Sequence, residues 1–126
     1  MLNIVYVAIG GMFGSVMRYL MMTWIGRGLG NEFPYSTLIV NVSGSFLMGI
    51  LVGWLARVLP SNAGDLRLLL AVGVLGGYTT FSSFSLDAIT LFEEGKIVAM
   101  ASYIVCSVTL SLAGLIAGLY LMRSIA

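Results

Sequence analysis

Hydroxyl groups alternate with phenylalanines along Gly76-Gly77-Tyr78-Thr79-Thr80-Phe81-Ser82-Ser83-Phe84-Ser85, a stretch set inside an apolar run. A hydroxyl donates as well as accepts, so Thr79, Thr80, Ser82 and Ser83 can replace part of a small ion's water without trapping it by fixed charge. Phe81 and Phe84 are three residues apart and share a helix face. A phenyl ring is positive at its edge, and two edges can flank an anion. Core packing is the plain alternative for two such rings. Their interleaving with hydroxyls beside a glycine pair favours ion handling.

The glycines weaken the helix at this point, because glycine loses the most backbone freedom on folding. An interrupted membrane helix ends one half on free carbonyls, which suit a cation, and starts the next on free N–H groups, which suit an anion. Further polar groups sit on other apolar runs. Tyr103, Ser107 and Ser111 recur at i, i+4 and i+8, which places three hydroxyls on one face. Bonding back to their own helix or gluing helices together is the alternative reading for each serine. Asn41 carries an amide that needs partners in an apolar setting. Arg18 interrupts the first apolar run; it either snorkels to the interface or lends a water-filled vestibule a positive potential. Asp87 lies one turn beyond Phe84, and its spacing alone assigns it no role.

The composition sets the surroundings of these groups. Of 126 residues, 60% are hydrophobic and 9% charged, whereas soluble domains carry about a quarter charged residues. The chain reads as an integral membrane protein in contact with the lipid bilayer. A net charge of +1 offers no basic patch for nucleic acid. There is no histidine and a single cysteine, Cys106, which removes Ser-His catalysis, the usual zinc sites and a disulfide framework. An enzyme is not expected.

Uncharged runs over 1–17 (continuing past Arg18 to 26), 33–56, 68–86 and 97–122 each match the roughly 20 residues that cross a bilayer. They predict an all-α, single membrane domain over 1–126, with helices at about 3–26, 34–58, 65–92 (broken at 76–80) and 97–123. The amino-terminal run lacks a basic region and a small-residue cleavage site, so it is expected to be a transmembrane helix rather than a removable signal. Linkers at 27–33, 59–64 and 93–96 are short; Pro34 suits a first helical turn, Asp65 a helix start and Gly95 a helix end. Gly10/Gly14, Gly114/Gly118 and the stripe Asn41, Ser45, Gly49, Gly53 supply faces for close helix packing. Arg57, Arg67 and Arg123 lie on one side of such a layout, Arg27 and Lys96 on the other, with Arg18 uncommitted. That near-balance gives the positive-inside rule little to act on. Two oppositely inserted copies could then pair about an axis in the membrane plane; a weak bias settled by another signal is the alternative.

The stretch 76–85 resembles the signature of the Fluc (CrcB) fluoride channels, with supporting matches at 10–18, at Thr37-Leu38-Ile39-Val40-Asn41 and at Tyr103/Ser107/Ser111. The resemblance covers essentially the whole chain. It implies a dual-topology antiparallel homodimer with two fluoride pathways and a structural, non-transported Na+ held by the carbonyls of Gly76 and Thr79 from both copies. By the same resemblance Phe81 and Phe84 line the pathways, Asn41 is a polar pathway residue, Tyr103, Ser107 and Ser111 form a polar track, and Arg18 is a basic vestibule residue; Ser82 and Ser83 are grouped with the pathway. The implied activity is passive, electrodiffusive export of cytoplasmic fluoride across the inner cell membrane, which lowers its toxicity.

Two other classes compete. A small dual-topology, proton-coupled multidrug exporter matches the size and charge balance, but it calls for a carboxylate deep in a span, and Asp87 is the only candidate. A membrane assembly subunit without transport would not require the hydroxyl and phenylalanine constellation.

Overall fold

The computed structural model describes residues 2–58 and 61–125. Met1 and Ala126, together with Leu59 and Pro60 of the expected 59–64 linker, lie outside the described residues. The described chain is all helical. Its helices are α1 (Leu2–Leu29), α2 (Tyr35–Val58), α3 (63–78), α4 (Phe81–Glu93) and α5 (Ile97–Ile125). Taking 63–93 together, four stretches are long and apolar enough to cross a membrane.

Glycine turns end two of them. Gly30, at φ 80°, closes α1, its N–H donating to Gly26 O at 3.0 Å. Gly95, at φ 79°, closes α4 with a paired cap: Gly95 N–H donates to Phe92 O and Lys96 N–H to Leu91 O. The first helix therefore runs past the expected residue 26, because Arg27-Gly28-Leu29 contains nothing that stops a helix until Gly30. α3 starts at Ala63 rather than Asp65. Asp65 instead sits in the first turn, where a carboxylate opposes the positive end of the helix dipole.

α3 is not a uniform α-helix. Arg67–Leu75 is wound as a π-helix, a rare form that leaves wider turns. Gly76 and Gly77 follow in α-helical form, although both were expected to lie within an interruption. Their small size is used against α1: a Cβ on Gly77 would meet the Gly11 carbonyl at 2.8 Å.

Small residues set two close helix pairs. α1 lies on α3, where a Cβ at Gly10 would collide with the Leu69 carbonyl and one at Gly14 with the Val74 carbonyl. α2 lies on α5, where Gly49 faces the Leu115 carbonyl and Gly118 the Phe46 carbonyl. Without a hydrophobic drive between helices in lipid, such backbone approach is what holds them together. The buried cluster is correspondingly small: Phe84, Ala88, Leu91 and Tyr103, flanked by Phe33, Leu38 and Met100. Most large apolar side chains, Phe13, Trp24 and Tyr120 among them, point outward. An outward-apolar, inward-small arrangement is that of a multi-pass membrane protein.

Candidate functional site

Between α3 and α4 the backbone straightens for two residues. Thr79 lies at φ −81°, ψ 159° and Thr80 at φ −151°, ψ 117°. Where the backbone extends, N–H and C=O groups turn out of the helical ladder, and each group that leaves it must find another partner. Thr79 keeps to its own helix: its N–H and its hydroxyl both donate to Leu75 O, at 3.0 and 2.9 Å. Thr80 turns to α2. Its N–H donates to Asn41 Oδ1 at 2.7 Å, and Asn41 Nδ2 donates to Thr80 O at 2.9 Å. The amide orientation follows from this pairing, since the reverse would set donor against donor. Arg18 Nη1 approaches Thr79 O from α1 at 3.4 Å.

The Thr80 side chain begins α4. Its hydroxyl oxygen accepts from the Ser83 N–H at 3.1 Å, a helix cap, and lies 3.3 Å from Ser82 Oγ. Tyr78, buried one residue before the step, pairs its hydroxyl with Ser43 Oγ of α2 at 3.0 Å.

An open groove of about 390 Å³ runs alongside this step. Thr79, Thr80, Phe81 and Phe84 line one wall, Asn41 and Ser45 of α2 another, and Ser107 and Ser111 of α5 a third. The Phe81 and Phe84 ring centroids are 5.4 Å apart and tilted by 49°. Their surroundings differ: Phe84 is 9% exposed and packed on Tyr103, whereas Phe81 is 78% exposed. Ser107 is 6% exposed, and its hydroxyl has no hydrogen-bond partner among the described residues. A buried hydroxyl without a partner is costly unless something in the groove meets it.

A second cavity, of about 490 Å³, is lined by Arg18, Ser83 and Asp87 together with Thr23, Ser36 and Thr37. α2 contributes residues 36 and 37 to this cavity and residues 41–48 to the groove, so the two are displaced from each other along the helix axis. Tyr103, fully buried, packs against Phe84, which lines the groove, and bonds to Asp87, which lines the second cavity. Its ring lies 5.2 Å from Phe84 and 5.6 Å, edge-on, from Phe33. Its hydroxyl donates to Asp87 Oδ2 at 3.0 Å.

The structure thus gathers Asn41, Thr79, Phe81, Phe84, Ser107 and Ser111 around one groove. Ser83 and Arg18 face the second cavity, Ser82 is exposed, and Tyr103 lines neither. Gly76 is exposed on the last turn of α3. Its carbonyl would be capped by Thr80 N–H in a continuous helix, but that N–H is turned to Asn41. Two residues gain a place that spacing alone did not give them. Thr80 is one, and a threonine directly before a helical run, the residue type preferred at a helix N-cap, is the signal that marks it. Asp87 is the other, the one carboxylate of its span between Asp65 at the start and the Glu93–Glu94 end.

Comparison with known proteins gives a consistent picture. The family model described as CrcB-like protein, Camphor Resistance (CrcB), matches residues 5–119. The fluoride-specific ion channel FluC of Agrobacterium fabrum is 52% identical over 125 residues, 99% of each chain. That of Rhizobium johnstonii is 51% identical over 126 residues, the full length of both chains. The protein of the same name from Rhodospirillum centenum is 52% identical over 121 residues, 96% of this chain and 95% of its own.

Proposed function

The chain belongs to the CrcB family, and from that premise we infer that it is a fluoride-specific ion channel and not an enzyme. Fluoride is a small anion that holds its water tightly, and a path for it must offer hydrogen bonds in exchange without binding too well. The groove supplies neutral donors and ring edges. The observation that carries the reading is the Ser107 hydroxyl, unpartnered among the described residues and buried in the groove that Phe84 and Asn41 also line. An anion passing there would complete its hydrogen bonding. Hydrogen fluoride crosses membranes as a neutral molecule and ionises inside, so an open anion path lets internal fluoride leave passively, down its electrical gradient. The direction of use is thus export across the cell (inner) membrane.

We further propose that two copies pair in opposite orientations, supported by the near-balance of Arg57, Arg67 and Arg123 against Arg27 and Lys96. The Phe81 ring, 78% exposed, would then be covered by the second copy. The extended step at 79–80 is read as a break in the third membrane span. Its donor chemistry suits a structural Na+: among the described residues no acidic, histidine or cysteine cluster could hold a metal, whereas the Gly76 carbonyl lacks its helical cap and Thr79 O has only the long Arg18 contact. Both carbonyls lie at the negative end of α3, and hard cations prefer oxygen. When bound, the ion supplies a positive charge that ties the carbonyl ends together.

Proton-coupled drug export fares less well. It would centre on Asp87, one of whose oxygens is taken by the Tyr103 hydroxyl, and among the described residues no carboxylate lines the groove. The deciding experiment places purified protein in liposomes with Na+ present and follows fluoride and chloride efflux with electrodes. Fluoride efflux with negligible chloride efflux is expected. An assembled preparation that releases no fluoride would overturn the reading.

A further inference from the structure

Asn41 is spent in an unusual way for a side chain in a conducting wall. Its amide carries one acceptor and two N–H donors. The acceptor and one donor are committed to the main chain of Thr80, at 2.7 and 2.9 Å, across 39 residues of sequence. A single amide therefore meets both main-chain groups of one extended residue, as a neighbouring β-strand would. α2 is shaped to allow it. Gly44, one turn on, leaves the space that Thr79 Cγ2 and the Tyr78 ring occupy, and any Cβ there would collide with that methyl.

Thr80 in turn directs α4. It is buried, its hydroxyl takes the Ser83 N–H, and Phe81 and Phe84 follow one and four residues later. Fixing the Thr80 peptide plane fixes the axis on which both rings are mounted.

We propose that Asn41 is a positioning residue: it clamps the Thr80 main chain from α2 and so aims Phe81 and Phe84 at the groove, acting through Thr80 and not chiefly as a ligand for the ion. The assignment rests on the reading of the groove as a fluoride path. It separates two roles that the groove wall alone leaves merged. A ligand to the anion needs only a free N–H, whereas a clamp needs both ends of the amide paired with Thr80.

Two variants and two readouts test it on the full-length protein in lipid nanodiscs and liposomes. Deuterium exchange is followed on the peptide covering 79–84, and fluoride efflux on the same preparations. In the wild type the Thr80 amide, bonded to Asn41 Oδ1, is expected to be protected. Asn41→Ala is expected to raise its exchange about tenfold or more and to lower efflux by a similar factor. The second variant replaces the Thr79–Thr80 peptide with an ester, which deletes the Thr80 N–H and no side chain. Read at saturating Na+, since an ester also weakens the Thr79 carbonyl, it should lower efflux on its own and add little to Asn41→Ala, where the Thr80 N–H contact is already lost. Should Asn41→Ala fail to assemble, the ester variant alone decides. Loss of efflux in Asn41→Ala with Thr80 protection intact would overturn the clamp in favour of a ligand role, and wild-type efflux in the ester variant would overturn it as well. Failure of the channel reading shows separately, as a wild type that protects Thr80 yet releases no fluoride.

Discussion

The Tyr103 hydroxyl donates to Asp87 Oδ2 at 3.0 Å, from a ring that is fully buried between Phe84 and Phe33. That bond fixes the one carboxylate of the second cavity, which also contains the Arg18 guanidinium. Removing the donor leaves a partly desolvated carboxyl oxygen without its partner, at a cost of about 1–3 kcal/mol. Tyr103→Phe keeps the ring stack and frees the carboxylate toward passing anions. Fluoride efflux is expected to fall about tenfold or more, with helix content and assembly unchanged, and Asp87→Asn in the same chain should restore much of it. Undiminished efflux in Tyr103→Phe would show that the bond has no part in conduction.

Sodium is the second lever. The cation proposed for the Gly76 and Thr79 carbonyls screens the negative end of α3. Liposomes prepared in a large organic cation, free of Na+, should lose fluoride efflux, and the protein should melt at a lower temperature than in sodium by the ordinary linkage of ligand to stability. Full conduction without sodium, with no change in melting, removes the ion from the account.

Close helix contact makes the third prediction. A Cβ at Gly118 would press into the Phe46 carbonyl of α2, whereas a Cβ at Gly28 meets nothing within 4 Å. Gly118→Ala should therefore destabilise the α2–α5 pair by about 1–3 kcal/mol, the usual cost of overpacking. Gly28→Ala should fall within about 0.5 kcal/mol of the wild type. Thermal unfolding in mild detergent, read by circular dichroism, distinguishes the two. Equal melting of both variants would mean that the pair can part without cost.

Hydropathy marks the four spans because a bilayer demands long apolar helices, and no tertiary detail can alter that requirement. The interior of α3 was less legible. Gly76 and Gly77 read as the weak point, yet they remain helical, since the α1 backbone uses the room they leave. The extended residues are Thr79 and Thr80, and what supports Thr80 is an amide 39 residues earlier, which no local window contains. Helix rotation limited the rest. The stripe Tyr103, Ser107, Ser111 shares a face as its spacing requires, but Phe33 and Phe84 cover the tyrosine and direct its hydroxyl to Asp87. Neighbours in sequence, Ser82 and Ser83, part company for the same reason, one exposed and the other facing the second cavity.

Phe84 lines the groove, and Tyr103, stacked on it, bonds to Asp87 in the wall of the second cavity. Where water fills both, the membrane voltage is no longer spread over the whole hydrocarbon thickness. It would drop over the side chains between them, Phe84 and Tyr103 among these, and the approximately 2.3 kcal/mol that 100 mV exerts on a unit charge would be concentrated there. On the proposed channel reading, a field so focused would act on the ion where its path is driest, so that a small change in the side chains between the two cavities would be felt as a large change in driving force.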